Sequence, residues 1–202
     1  MESKRRTQEE RSAATRHALV TAARRLWAQR GFADVGTPEI VASAGVTRGA
    51  MYHQFADKAA LFLAVLEAVE QDMMMRLGAA VAGSGASTPA AAIRAAVEQW
   101  LVVSVDPEVR QIVLLDGPSV LGWLRFRDLA QRYSLGMTEH LLQAAMDAGQ
   151  LAPQPTRPLA HVLIGALDEA AMVVANAEDQ DRARAEVGAV LHALIDGLFT
   201  AT

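Results

Sequence analysis

Between Thr37 and Lys58 the chain gathers side chains able to hold anions and read planar polar edges. They are the hydroxyls of Thr37 and Thr47, the guanidinium of Arg48, the phenol of Tyr52, the imidazole of His53 and the ammonium of Lys58. A hydroxyl or phenol can donate to a phosphate oxygen. A guanidinium presents parallel donors that fit either a phosphate or the O6 and N7 acceptors of guanine. Gly49 and Ala50 stand among these residues and carry almost no side chain. Small residues between long donors let a helix sit deep in a groove. Taken singly, each group has a plain alternative. Arg48 can be a solvated charge, His53 a surface imidazole and Tyr52 a core aromatic, as Phe55 is expected to be.

Two short helices must position these groups. Thr37 reads as an N-cap and Pro38 as the first helical residue, where a missing N–H costs nothing. Ile40, Val41 and Ala44 follow, and Gly45 can take the positive φ that ends the helix. Val46 is placed inward, pinning the turn. Thr47 caps a third helix running to about Gln54, with Met51 and Phe55 at i and i+4 facing the core. Thr47, Arg48, Gly49, Ala50, Tyr52 and His53 are left outside. This is a helix-turn-helix pattern. Asp57 caps a fourth helix. Lys58 in its first turn is opposed by the helix dipole, and a phosphate bound there would reverse that balance.

Upstream, Thr7 and Glu10 have capping-box spacing. Leu19, Ala23, Leu26 and Trp27 share a helical face, and Gly31 suits a left-handed C-cap. Downstream, Phe62, Val65, Leu66, Val69, Met73 and Leu77 form one stripe of helix four. Residues 83–87 read as a flexible break. Thr88-Pro89 and Asp106-Pro107 each read as a cap followed by proline, opening helices five and six. Ile93, Val97, Trp100 and Leu101 line helix five. A loop is expected at 116–122, then a long helix faced by Leu129, Tyr133, Met137, Leu141 and Ala144. Helices eight and nine are expected over about 159–177 and 182–199. No strand-like alternation or internal repeat is present. The reading is all-α, about nine helices, three short and six longer.

Composition narrows the function. The net charge of −4 divides unevenly. Residues 1–60 hold ten Lys/Arg against six Asp/Glu, and the remainder nine against seventeen. A basic head on an acidic body suits a protein that meets phosphates with one end, although uneven surface charge gives the same count. The absence of Cys excludes disulfide and thiolate chemistry and fits a reducing compartment. The N-terminus lacks the apolar run of a secretory signal, and the longest charge-free stretch, 77–93, is too short to span a membrane. A cytoplasmic protein without membrane contact is expected. No nucleophile elbow, P-loop, dinucleotide fingerprint or metal-ligand spacing is found. His161 and Asp168 lie seven apart on one helix. Neither catalysis, cofactor nor metal is expected.

The run Val46-Thr-Arg-Gly-Ala-Met-Tyr-His-Gln-Phe55, followed by Asp57-Lys58-Ala-Ala-Leu61-Phe62, resembles the signature of the tetracycline-repressor (TetR) family. The preceding Leu26-Trp27-Ala-Gln-Arg30-Gly31-Phe32 is similar too. Together these cover about residues 15–62, and the stretch 123–136 also has the family's look. Val41 stands where the family usually has Ala, and Ala60 where Glu is common, removing a capping-box partner for Asp57.

The resemblance implies an N-terminal helix-turn-helix DNA-binding domain, 1–57, and a C-terminal helical ligand-binding and dimerisation domain, 58–202. It implies DNA contacts by Thr37, Thr47, Arg48, Gly49, Tyr52, His53 and Lys58, with Ala50 on the same surface. A homodimer reading a palindromic operator is expected, paired through helices eight and nine. Gly165, Ala166, Ala170 and Val174 would meet Val187, Leu191, Leu194 and Leu198, unless those stripes face the subunit's own core. A pocket for a small, largely apolar effector is expected among helices four to eight. Its candidate lining is Met74, Trp100, Trp123, Phe126, Tyr133, Met137, His140, His161 and Met172, although residues of these types at helical spacing are often ordinary core. The competing reading is a helical protein-binding regulator without ligand sensing or specific DNA binding.

Overall fold

The structure is a computed structural model that describes residues 8–199. The capping box expected at Thr7 lies outside that range. The described residues form α1 (Gln8–Asp34), α2 (Thr37–Ala44), α3 (Arg48–Gln54), α4 (Lys58–Gly83) and α5 (Pro89–Val103). A π-helical segment (Val109–Asp116) follows, then α6 (Gly117–Leu121), α7 (Trp123–Asp147), α8 (Thr156–Ala175) and α9 (Gln180–Asp196). The only β feature among the described residues is an isolated antiparallel bridge between Leu151 and Phe199.

Local chemistry explains most of these boundaries. Thr47 Oγ1 accepts from the Ala50 amide at 3.1 Å, Asp57 Oδ1 from Ala60 at 2.7 Å, and Thr88 Oγ1 from Ala91 at 3.2 Å. Each satisfies an amide the first helical turn leaves free. Gly45 ends α2 at φ 65°, ψ 30°, the left-handed cap expected of it.

Four details differ from the sequence reading. Gly36, extended at φ −87°, ψ 157°, is the N-cap of α2, so Thr37 is already helical. Gly31 has φ 78° but ψ 167°, so it breaks α1 sharply instead of making a left-handed cap. Its missing side chain also leaves room for the body, since a Cβ would lie 2.9 Å from Gln111 Nε2. The first helix is long, not short. The segment 117–121 is helical rather than a loop, because Pro118 occupies the first turn, where proline suits a helix.

One apolar core joins the N-terminal helices to the body. Leu19, Trp27, Ile40, Met51, Phe62, Val65, Ile112 and Leu129 belong to a single buried cluster. Trp27, Phe32 and Phe62 form its aromatic centre, with ring centroids 5.2–5.5 Å apart in tilted and edge-on pairs. Burying such a side chain contributes about 1.5–3 kcal/mol. The start of α4 coincides with the expected boundary at 57/58, yet packing is continuous across it. A second cluster gathers Ile93, Val97, Leu101, Leu142, Leu151, Ala160, Leu191 and Ile195 from α5, α7, α8, α9 and the turn after α7. Helix α8 is long and apolar enough to cross a membrane by length and composition alone, and a third of its most apolar window is buried within this chain.

Candidate functional site

Helices α2 and α3 present the donors named from the sequence. Met51 is wholly buried and Phe55 nearly so, which anchors α3 by its inner face. Gln54 Nε2 donates to Ser12 Oγ at 2.8 Å, and the Arg16 guanidinium lies 4.5 Å from the Phe55 ring centre, tying α3 to α1. Thr47, Arg48, Gly49, Tyr52 and His53 are exposed, while Thr37 and Ala50 are half-buried. The Arg48 guanidinium lies 5.6 Å from the centre of the Tyr52 ring. The result is a narrow outward face with one strong cation and hydroxyl donors beside a backbone unobstructed at Gly49.

Lys58 is held differently. Its ammonium donates to the Phe32 carbonyl and sits 4.0 Å from the centre of that ring. Burial pulls its pKa below the usual lysine value, and Asp116 and Asp34 act in the opposite direction. The carbonyl lies in the last turn of α1, where no following helical amide donates to it, and so compensates a cation at a helix N-terminus.

The body contains a cavity of about 960 Å³ that is partly open to solvent. Met74, Trp100, Trp123, Phe126, Met137 and Met172 line it. Tyr133, His140 and His161 are not among its lining residues. The Tyr133 hydroxyl instead accepts a long 3.4 Å bond from Gln71, and His140 is exposed. Three carboxyl groups not expected there also line the space, Glu70 from α4 and Asp168 and Glu169 from α8. Burial, reinforced by Asp168, pushes the Glu70 carboxyl up to about 8. Burial also pushes Asp168 up to about 6, against the pull of Arg127. The signal for Glu70 was present: it lies one turn from both Leu66 and Met73, so it breaks an otherwise apolar stripe.

Cavity and head share one wall. Val113, Leu114 and Leu115 of the π segment line the cavity. At its end, Asp116 Oδ2 accepts from the Phe32 amide at 2.8 Å. Just before it, Glu108 takes a two-pronged ion pair from Arg24, 2.7 Å on each arm. Among the expected pairing residues, Val174, Ala170 and Leu191 are buried in this subunit's own core. Gly165, Ala166, Val187 and Leu198 are half-buried, and Leu194 is exposed. Val190, expected on the apolar side of helix nine, is exposed, as are Val162 and Val173, which were not singled out in the sequence. No group of three His, Cys, Asp or Glu suited to a metal occurs among the described residues.

A helix-turn-helix packed onto an all-helical body with a large cavity is the architecture of a transcriptional regulator. Residues 19–65 match the family described as bacterial regulatory proteins, tetR family. Residues 90–198 match the tetracyclin repressor-like C-terminal domain. The chain belongs to the TetR family of transcriptional regulators. It is similar to a TetR-family regulator of Pectobacterium atrosepticum known by crystal structure, 31% identical, with a TM-score of 0.84, covering 97% of this chain and 99% of that one. The Transposon Tn10 TetC protein of Escherichia coli is 25% identical over 158 residues, 78% of this chain and 79% of TetC. RolR, crystallised with resorcinol, shares the fold at a TM-score of 0.72 and 20% identity, covering 95% of each chain.

Proposed function

We propose that this regulator is a cytoplasmic repressor that binds a palindromic operator as a homodimer and is released by a small, largely apolar effector. The observation that carries the reading is the shared wall. The same π segment lines the cavity with Val113 and Leu114 and holds the head through Asp116. An occupant that favours one position of this segment and of α4 changes the placement of the head. Such coupling requires different affinities for two conformations and is typically about 1–3 kcal/mol, or ~5- to 150-fold in DNA affinity. The binding of resorcinol by the similarly folded RolR is consistent with a ligand site in the body.

In this reading Thr37, Tyr52 and His53 grip phosphates, Thr47 and Gly49 allow close approach, and Arg48 reads a base edge. Lys58 joins the phosphate contacts by exchanging the Phe32 carbonyl for DNA. Pairing uses the outer face of α8 and α9. Val162, Val173, Val190 and Leu194 leave there the kind of apolar surface that marks an interface. The test is fluorescence anisotropy with DNA from the gene's upstream region and with scrambled DNA, in a salt series, alongside light scattering. Competitor-resistant binding of two chains per site supports the proposal. Equal, weak binding to both DNAs, or a monomer at micromolar concentration, sinks it in favour of a protein-binding regulator.

A further inference from the structure

Glu70 is 2% exposed, yet no hydrogen bond or ion pair to its carboxyl occurs among the described residues. It lines the cavity of about 960 Å³ together with Asp168, whose charge disfavours ionisation of Glu70 further. The Glu70 oxygens are not sealed in packed protein, since the fully buried polar atom without a partner among the described residues is Trp27 Nε1; they open onto the cavity, where a charged carboxyl that no protein group answers is costly. The other charged residues on the wall are Glu169, which is exposed, and Arg127, the only cation. Trp100, Trp123 and Phe126 line the same space and add aromatic surface.

We infer that the effector is a lipophilic cation, an amine or quaternary ammonium on an aromatic body, whose charge is received by Glu70 and Asp168. The inference rests on the reading of this cavity as the effector site. Three features of the wall select this class. An anionic ligand would meet one buried and one partly buried carboxyl and a single, exposed guanidinium. A neutral apolar ligand would leave the Glu70 carboxyl as it stands, unpartnered. A cation ion-pairs with Glu70, which is itself almost fully buried, so that the attraction is less screened than at the surface, and gains further from the neighbouring rings. A volume near 960 Å³ is at the upper end for drug-sized ligands, so the body can be polycyclic.

The test uses three probes on one fluorescent frame: aminomethylanthracene, hydroxymethylanthracene and anthracene carboxylate. Each is titrated against the full-length dimer, against Glu70→Gln and against Asp168→Asn, with circular dichroism confirming that the variants are folded. The expected result is that the amine binds at least about tenfold tighter than the alcohol and the carboxylate binds weakest. Glu70→Gln then brings the amine down to the alcohol's affinity, and Asp168→Asn does so in part. Equal binding of amine and alcohol, or preference for the carboxylate, overturns the cation while leaving the cavity as a ligand site. Failure of all three to bind overturns the cavity reading and this inference with it. An amine preference that persists in both variants removes the two carboxyls from the role. The ranking on the unmodified protein decides the ligand class even if a variant fails to fold.

Discussion

In the head, the functional groups stand in water: Arg48, Tyr52 and His53 are exposed on a helix whose inner face is fixed by Met51 and Phe55. In the body, the corresponding polar groups are sunk in apolar wall, with Glu70 almost fully buried and Asp168 partly so. The contrast follows from what each region meets. A polyanion comes to the surface, so its contacts need only exposed donors, each cheap to keep solvated. A small ligand must be surrounded, so its polar contacts are built in advance, at a cost to the empty protein. Charge is therefore a weak stability term in the head and a strong one in the body.

The largest expected effect tests whether head and body are separable at all. Trp27→Ala removes the centre of the aromatic cluster and should cost about 3–5 kcal/mol in denaturant unfolding. Because Trp27 and Ile112 lie in one buried cluster, a single cooperative transition should shift. Two separated transitions would show that each region folds by itself.

The next effect is confined to the body. A carboxyl whose folded pKa is raised stabilises the protein fully below its unfolded value and loses that contribution as pH climbs through the folded one. For Glu70 the window runs from about 4.5 to about 8. Each unit of displacement is about 1.4 kcal/mol. The unmodified protein should therefore lose stability relative to Glu70→Gln across that window, read from denaturant midpoints at several pH values. Parallel curves would show that Glu70 is hydrated and would erase the contrast with the head.

Smaller effects sharpen the head. Arg48→Ala should weaken operator binding by about 1–3 kcal/mol if the guanidinium reads a base, and most strongly on the correct sequence. Uniform weakening on all DNA would make it a phosphate contact. Asp57→Ala removes the cap on Ala60 and should cost about 1 kcal/mol in thermal unfolding. No change would show that the first turn of α4 is held by packing alone. Lys58→Ala should lower the slope of log affinity against log salt by about one per subunit. An unchanged slope would leave the ammonium on the Phe32 carbonyl, where it is found in the free protein.

The head was legible because its determinants lie close together in sequence. A cap at Thr47, a positive φ at Gly45 and the i, i+4 pair Met51 and Phe55 place α3 and leave one face outward. The body was legible only as helices with apolar stripes. Periodicity marks Val174 and Leu191 as apolar-face residues, but not whether a second subunit or their own core covers them. Both are buried within this chain, and the exposed apolar surface of α8 and α9 falls on Val162, Val173, Val190 and the expected Leu194. Pro118 was misread as a loop residue because proline signals a helix start as readily as a break.

The chain's own order of residues determined its helices, the helix-turn-helix and the outward face of α3, because capping and helical spacing act within a few residues. Tertiary structure alone decided that Glu70 and Asp168 share a cavity, that Lys58 rests on Phe32, and that the π segment joins cavity to head. These are meetings between elements far apart in the chain. They arise from the packing of helix faces against one another, and no local periodicity encodes which faces will meet.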